Sequence, residues 1–246
     1  MQAAGLKKRL KHTNSATAVI GISGGLDSSL ALLVTVRAFQ ALGKDPKDIV
    51  AVTMPCFGTT DKTLQNSLKL MEALGVTSRI VPVKDAVLQH FKDISHDENN
   101  KNTAYENAQA RMRTLVLMDI ANDANGIVIG TGDLSELALG WATYNGDHMS
   151  MYGVNASVPK TLVRHLIAYE GKRLGGAAGA VLEDILHTEI SPELLPPEDG
   201  KIAQKTEELV GPYELHDFYL YHAVRWGFPP EKVLYLAKAA FKEKYS

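Results

Sequence analysis

The feature that most constrains the fold is the apolar run TAVIGI at Thr17–Ile22, which leads directly into the glycine- and serine-rich stretch SGGLDSS. A short apolar run bounded by turn residues is typical of a buried strand. Residues Ser28–Leu42 then follow a helical pattern that stops at Gly43, a usual residue at a helix C-terminus. A strand, a glycine loop and a helix in this order predict the start of a βαβ unit.

The same order repeats further along the chain. Predicted strands cover Ile49–Met54, Arg79–Val83 and Ile127–Ile129, and predicted helices cover Ala3–His12, Asp61–Leu74 and Thr103–Asn125. This alternation predicts an α/β fold, a doubly wound and mostly parallel sheet with helices on both faces. In such folds ligands bind at the carboxyl ends of the strands.

The C-terminal part is predicted to be mostly helical from about residue 160. Helices are expected at Tyr213–Trp226 and Pro230–Lys242, after the proline-rich stretch ISPELLPPEDG at Ile190–Gly200. A chain of 246 residues with 45% hydrophobic content can bury one substantial core. We therefore predict a single domain over residues 1–246.

Composition excludes several classes of function. Lys and Arg number 26 against 28 Asp and Glu, so the basic surface of a nucleic-acid-binding protein is not expected. The single cysteine, Cys56, rules out an internal disulfide and a cysteine zinc cluster. No apolar run is long enough to cross a membrane, and nothing suggests export. A cytoplasmic protein without membrane or nucleic-acid partners is predicted.

The strongest motif is GISGGLDSS at Gly21–Ser29. Its glycines allow the backbone to approach phosphate oxygens, its serines can donate hydrogen bonds, and the next helix directs its positive N-terminus into the loop. The motif lacks the Gly-Lys-Ser/Thr ending of a P-loop and carries Asp27, which could hold Mg²⁺. An ordinary glycine turn with a serine helix cap is the alternative. The stretch resembles the signature of the ATP-pyrophosphatase superfamily, which implies cleavage of ATP to AMP and pyrophosphate.

A second motif, YENAQARMR at Tyr105–Arg113, lies on the predicted long helix. Asn107 and Arg111 are four residues apart and share one helix face, as do Gln109 and Arg113. Such rows of amide and guanidinium groups suit a ligand with phosphates and carboxylates. A solvated charged helix face is the alternative.

A third motif, GTGDLSELALGW at Gly130–Trp141, follows the predicted strand at Ile127–Ile129. It would place Thr131, Asp133 and Glu136 near the carboxyl edge of the sheet, where Glu136 could share a metal with Asp27. The alternative is that Asp133 and Ser135 only cap a short helix.

Together, these motifs resemble the NAD synthetase family. The resemblance continues through TYNGDHMSMY, VPKTL, ISPEL and TEELVGPYELHDFYLYH and covers nearly the whole chain. It is closest to the synthetase part of the glutamine-dependent form, in which a nitrilase-like amidase domain precedes this part. The resemblance implies amidation of deamido-NAD to NAD through an acyl-adenylate, with ATP and Mg²⁺ as cofactors and ammonia as the nitrogen donor. It also implies a homodimer or a higher homo-oligomer.

The resemblance further implies roles for individual residues, with Asp27, Glu136 and Lys160 carrying the catalysis. Residues expected to bind ATP are Gly21, Ile22, Ser23, Gly24, Gly25, Leu26, Asp27, Ser28, Ser29, Thr131, Lys160 and Ser191. Residues expected to bind deamido-NAD are Asn107, Arg111, Glu136, Trp141, Ala142, Thr143, Tyr144 and Asp147. Asp27 and Glu136 are expected to ligate Mg²⁺.

Two alternatives for the function remain open. The chain could be another amidating ATP-pyrophosphatase, such as a GMP synthetase, or a catalytically inactive nucleotide-binding fragment. Cys56 follows Pro55 without a Lys or Glu partner, so it is interpreted as a packing residue and not as an amidase nucleophile. Free ammonia is therefore expected as the substrate of this chain, which we expect to be a truncated form ending at Ser246.

Overall fold

The computed structural model describes residues 1–188, 194–196 and 206–245. The strands are β1 (Thr17–Gly21), β2 (Ile49–Thr53), β3 (Thr77–Ile80), β4 (Gly126–Gly130) and β5 (Tyr152–Gly153). The helices are α1 (Gln2–Thr13), α2 (Leu26–Leu42), α3 (Asp61–Ala73), α4 (Lys84–Asp93), α5 (Thr103–Asp123), α6 (Leu134–Leu139), α7 (Lys160–Leu174), α8 (Gly176–Leu186), α9 (Thr206–Val210), α10 (Tyr213–Leu220) and α11 (Pro230–Ala240).

The strands form one parallel sheet in the order β3-β2-β1-β4-β5. The chain runs outward from β1 through β2 to β3 and then returns to the other side of β1 with β4. Ala18 of β1 is paired with Ile49 on one side and Ile127 on the other. The direction of winding therefore reverses between β1 and β4, and the loops that follow these two strands flank the crevice where such folds bind ligands.

Helices cover both faces of the sheet, which confirms the predicted doubly wound α/β fold. Alternate strand residues point to opposite faces. Ile20 and Ile129 belong to a core that includes buried residues of α1, α2, α7 and α8. Val19 and Val128 belong to a second core that includes Ala121 of α5.

The third strand and the helix after it differ from the sequence prediction. The third strand covers Thr77–Ile80 and not Arg79–Val83, and it is largely exposed at the sheet edge. Pro82, which has no amide hydrogen to continue the ladder, comes soon after it. The unpredicted helix α4 follows, because Val87 and Phe91, four residues apart, are both buried against Tyr105.

The C-terminal part is helical, as predicted, and α7 packs along α8. The helix predicted at Tyr213–Trp226 is shorter, because α10 gives way to a π-helical turn at Tyr221–Arg225. In the described residues, no helix has the length and apolar character needed to span a membrane.

Candidate functional site

The loop between β1 and α2 is fixed at both ends by hydrogen bonds. The Ile22 amide donates to the Val52 carbonyl at 2.8 Å, which extends the ladder between β1 and β2. The hydroxyls of Ser23 and Ser28 lie 3.1 Å apart, and the Ser29 hydroxyl donates to the Gly25 carbonyl at 2.7 Å. These hydrogen bonds give the motif a defined conformation.

Gly24 is the residue of this loop for which glycine is required. Its φ of +85° lies in the region that side chains rarely adopt, and a Cβ atom there would be 2.2 Å from the Thr63 carbonyl oxygen. Helix α3, which carries Thr63, therefore approaches the loop backbone as closely as a glycine permits.

The N-terminus of α2 is available to bind an anion. Its N-cap residue is Gly25, and no side chain caps the helix. The first amide groups of a helix have no partner within the helix, and together they favour a negative charge. The serine helix cap that the sequence left open is not found, and the arrangement suits a phosphate.

The loop after β4 carries a capping box. The Asp133 carboxylate accepts from the Glu136 amide at 2.8 Å through Oδ1, and the Asp133 amide donates to the Glu136 carboxylate at 3.3 Å. The capping role of Asp133 that the sequence left open is thus present. Its second oxygen, Oδ2, lies 3.0 Å from the Lys160 ammonium. Asp133 therefore serves both the helix and the ion cluster.

Lys160 stands at the centre of a buried ion cluster. Its Nζ lies 2.6 Å from Asp27 Oδ2, 2.7 Å from Glu136 Oε1 and 3.0 Å from Asp133 Oδ2. The Lys160 side chain is 1% exposed. One oxygen of each of the three carboxylates lies within 4.8 Å of the others. The structure thus brings together the three residues predicted to carry the catalysis.

The cluster has more negative than positive charge. Burial, together with the neighbouring Glu136 and Asp133, raises the pKa of Asp27 well above its usual value, against the opposing effect of Lys160. Burial also raises the pKa of Glu136. Burial would lower the pKa of Lys160, but the three carboxylates outweigh it and raise that pKa, so the ammonium stays charged. Asp27 Oδ1 has no hydrogen-bond partner among the described residues. This oxygen-rich, negatively charged set fits Mg²⁺.

Asn155 joins the two loops of the crevice, and the sequence analysis missed it. It is fully buried, and its amide nitrogen donates to the backbone carbonyls of Asp27 at 2.9 Å and Thr131 at 3.0 Å. Its oxygen accepts from the Gln2 side chain at 2.9 Å. Thr131, predicted to contact ATP, is thereby held beside Asp27.

The polar residues of the YENAQARMR motif on α5 divide into two groups, of which only Asn107 and Arg111 were predicted to bind the substrate. Gln109 is fully buried and donates to the Leu194 carbonyl at 2.8 Å, while the Nε of Arg113 donates to the Met54 carbonyl at 3.2 Å. These two residues support packing. Arg111 is exposed, and its Nε donates to the Tyr144 carbonyl at 3.0 Å. Asn107 is half-buried one turn before it, on the same face.

The loop that holds Trp141, Ala142, Thr143, Tyr144 and Asp147 follows directly on α6. The Trp141 amide donates to the backbone carbonyl of Glu136 at 2.9 Å. The start of this loop is therefore bonded to a residue of the ion cluster. The Thr143 amide donates to Asp147 Oδ1 at 2.6 Å. The Tyr144 side chain is 72% exposed. The loop, 141–147, therefore has internal order but presents its aromatic ring to solvent.

Two further predictions from the sequence concern Ser191 and Cys56. Ser191 lies outside the described residues, so its predicted phosphate contact stays a prediction. Cys56 packs against two apolar clusters, and burial raises the pKa of its thiol, which disfavours the reactive thiolate. Packing is thus the role that its surroundings support.

Comparison with known proteins decides the family. The model of the NAD synthase family matches residues 2–242. The chain belongs to the NAD synthase family. The GMP synthetase alternative is therefore not favoured.

Among relatives in the NAD synthase family, a glutamine-dependent NAD(+) synthetase of Mycobacterium leprae is 44% identical over 99% of this chain. The chain spans 37% of the length of that relative. An NH(3)-dependent NAD(+) synthetase of Pyrobaculum aerophilum is 34% identical over 93% of this chain and 78% of its own length. The family thus includes relatives much longer than this chain and relatives not much longer than it, and their names give either glutamine or NH(3) as the nitrogen source.

The fold is also that of solved NAD synthase structures. A glutamine-dependent NAD+ synthetase of Acinetobacter baumannii in complex with adenosine diphosphate matches with a TM-score of 0.69 and 23% identity. The match covers 96% of this chain and 42% of that one. The two chains therefore share a fold over nearly the whole length of this one.

Proposed function

We propose that this chain forms NAD by ATP-dependent amidation of deamido-NAD, with release of AMP and pyrophosphate. The observation that carries the proposal is the cluster of Lys160 with Asp27 and Glu136, set beside the glycine-serine loop at the reversal point of the sheet. The names of the relatives, which are NAD(+) synthetases of glutamine-dependent and NH(3)-dependent forms, support it.

The loop from Gly21 to Ser29 binds the phosphates of ATP in this proposal. The uncapped N-terminus of α2 and the Ser23 and Ser28 hydroxyls supply donors at the place where pyrophosphate leaves. Thr131, held across the crevice by Asn155, contacts ATP from the β4 side.

Asp27 and Glu136 are the residues that would hold Mg²⁺. Asp27 Oδ1, which has no hydrogen-bond partner in the part of the chain that the structure describes, supports this assignment, as does the excess of carboxylates over ammonium groups around it. A bound Mg²⁺ would neutralise charge on the ATP phosphates. Asp133 lies within reach of the same position, although its Oδ1 is committed to capping α6.

The chemistry requires a leaving group on the nicotinate carboxylate, because ammonia cannot displace oxide from it. The carboxylate oxygen attacks the α-phosphorus of ATP, and the bond from that phosphorus to pyrophosphate breaks. Ammonia then attacks the acyl carbon, loses a proton and displaces AMP. Lys160 stabilises negative charge on the phosphates, and the site as a whole positions two anionic substrates.

The dinucleotide lies along α5 and the 141–147 loop in this proposal. Arg111 and Asn107 face it from the helix, and Trp141, Ala142, Thr143 and Tyr144 face it from the loop, with Asp147 as a further contact. The exposed Tyr144 ring is suited to stacking on a base or a pyridine ring. The order that Asp147 imposes on Thr143 supports a preformed surface.

The wider arrangement is also part of the proposal. Residues 1–246 act as one synthetase domain in the cytoplasm, assembled as a homodimer or a higher homo-oligomer. Where a nitrilase-like amidase domain accompanies it, ammonia comes from glutamine. The chain alone uses free ammonia.

The proposal is tested by incubating the chain with deamido-NAD, ATP and Mg²⁺, and with either ammonium or glutamine. NAD and AMP in equal amounts with ammonium, and neither with glutamine, are the expected products. ADP in place of AMP would contradict cleavage at the α-phosphate. Absence of any product would support the inactive-fragment alternative.

A further inference from the structure

The N-terminus of α7 is capped from a different helix. Lys160 is the first residue of α7, and the residue before it, Pro159, supplies no side-chain cap. The Lys160 amide instead donates to the Ser135 hydroxyl at 2.9 Å. The Thr161 amide and hydroxyl donate to Asp217 Oδ2 at 2.8 and 2.6 Å. Asp217, which lies on α10, therefore acts as the cap.

Asp217 also binds the helix that carries Glu136. Its Oδ1 accepts from the Ser135 hydroxyl at 2.5 Å, and Ser135 is the residue before Glu136 on α6. One carboxylate thus ties the first turns of α6 and α7 together. Glu136 and Lys160, whose side chains meet at 2.7 Å, project from these two turns.

The surroundings of Asp217 restrict it to this position. Its side chain is buried, at 8% exposed, and accepts three hydrogen bonds from Ser135 and Thr161. A carboxylate at a helix N-terminus is favoured by the helix dipole. Tyr213, one turn earlier on the same face of α10, places its ring centroid 5.4 Å from the Lys160 ammonium. The same face of α10 thus contacts the Lys160 ammonium through Tyr213 and the next residue, Thr161, through Asp217.

We propose that Asp217 is a positioning residue that fixes Lys160 in the ion cluster by clamping the N-terminus of α7 to α6 through Ser135 and Thr161. The inference rests on the proposed function, in which Lys160 contacts ATP. Asp217 itself touches neither substrate nor metal in this proposal. A small misplacement of a reacting group can cost about 100-fold in rate. Loss of the bonds from Asp217 to Ser135 and Thr161 should therefore lower mainly the kcat for NAD formation.

The test compares Asp217→Asn with Glu214→Gln as a matched control. Glu214 is a carboxylate on the same helix, but it bonds to Lys244 and Tyr245 near the C-terminus and lies outside the site. The asparagine keeps one oxygen and the shape of the side chain, but it cannot accept from both Ser135 and Thr161 as the carboxylate does. We expect the kcat for NAD formation to fall about 10- to 100-fold in Asp217→Asn and to stay unchanged in Glu214→Gln.

The position of Lys160 is measured separately, by acylation of lysine amines and mass spectrometry of the peptides. Lys160 is expected to be protected in the wild type and in Glu214→Gln, and to react at least about five-fold faster in Asp217→Asn, the change expected for loss of one hydrogen bond. Lys44 provides an internal reference, because its ammonium bonds to the carbonyls of Ser15 and Ala16 away from the site. Its labelling should be the same in all variants.

Ser135→Ala and the double variant with Asp217→Asn test the path of the effect. If Asp217 acts through Ser135, the double variant should lose no more turnover than Asp217→Asn alone. Ser135→Ala also decides the matter if Asp217→Asn does not fold, because it removes the link from Asp217 to the Lys160 amide and leaves the two bonds from Thr161 to Asp217 in place. Raised labelling of Lys160 in Ser135→Ala then supports the proposal, and unchanged labelling overturns it.

Full turnover with protected Lys160 in Asp217→Asn would overturn the proposal. So would a loss of turnover that follows the loss of thermal stability while Lys160 stays protected, because that pattern describes a purely structural residue. If the wild type forms no NAD, the proposed function fails, whereas the labelling comparison still decides whether Asp217 positions Lys160.

Discussion

The ion cluster and the 141–147 loop, the two sides of the candidate site, differ in how many contacts within the chain hold their side chains in place. Around Lys160, three carboxylates hold a buried ammonium, and second contacts from Asn155 and Asp217 fix the backbone behind it. In the 141–147 loop, order comes from a few local hydrogen bonds, and Tyr144 extends into solvent.

This difference indicates how each side contributes. Groups that stabilise charge are most effective when they are fixed in place before the reaction. A side that recognises a large dinucleotide can gain its remaining contacts from the ligand itself. Substitutions in the cluster should therefore affect turnover, and substitutions in the loop should affect the KM for deamido-NAD.

The largest effect is expected from Asp27→Asn. Turnover should fall by about 1,000-fold or more, because the variant loses a carboxylate that holds metal charge against the phosphates. Stability should not fall, because three carboxylates around one ammonium become two. NAD formation and thermal unfolding measure the two effects. Asp119→Asn, on the exposed side of α5, is the control, and near-normal turnover of Asp27→Asn would contradict the metal assignment.

Gly24→Ala should reduce the free energy of unfolding by about 2–4 kcal/mol. The positive φ and the approach of the Thr63 carbonyl leave no room for a methyl group. Urea unfolding measures the loss. Gly25→Ala is the matched control for stability, because its φ is negative and its nearest neighbour would be the Ser23 hydroxyl at 3.4 Å. Equal stability of the two variants would show that the loop does not depend on this backbone conformation.

Tyr144→Ala should raise the KM for deamido-NAD about 10-fold with little change in kcat, because stacking on a ring contributes about 1–1.5 kcal/mol. The free energy of unfolding should stay within about 0.5 kcal/mol, since the ring is exposed. Tyr235→Ala removes a similarly exposed tyrosine on α11 and should leave both constants unchanged. A fall in kcat without a change in KM would contradict a role in substrate binding and would group Tyr144 with the ion cluster.

The smallest effect is expected from Asp147→Ala, which removes one hydrogen bond from the 141–147 loop. The KM for deamido-NAD should rise about 3- to 5-fold, the change expected for about 1 kcal/mol. Asp97→Ala is the control, because Asp97 likewise accepts from a loop amide, that of Asn99, at 2.9 Å. A larger effect than that of Tyr144→Ala would show that loop order matters more than the ring.

The parts of the fold and site that depend on local sequence were predictable. Short apolar runs predict four of the five strands, and the glycine-serine loop carries its own turn residues, so most of the sheet and the position of Asp27 followed from the sequence. The two-residue strand β5 was not predicted. The pairing of Asp27 with Glu136 followed because both come after parallel strands that end at the same sheet edge. The family resemblance implied only that Lys160 contacts ATP and takes part in catalysis, and its ion pairs with these carboxylates were not predicted.

The residues that were missed act across long stretches of chain. Asn155 and Asp217 are polar side chains without a repeating pattern, and their roles depend on which backbone groups lie opposite them after folding. The only signal for Asp217 was its position one turn after Tyr213, which does not identify α7 as the partner. Helix α4 was missed because its apolar face is narrow, with two buried residues.

The hydrogen bond from Gln2 to Asn155 connects helix α1 to the candidate site. Gln2 bonds to Asn155, and Asn155 bonds to the carbonyl of Asp27, so two hydrogen bonds separate the first helix from the aspartate proposed to hold Mg²⁺. A substitution at Gln2 would therefore weaken the support of the Asp27 backbone without changing any residue of the ion cluster.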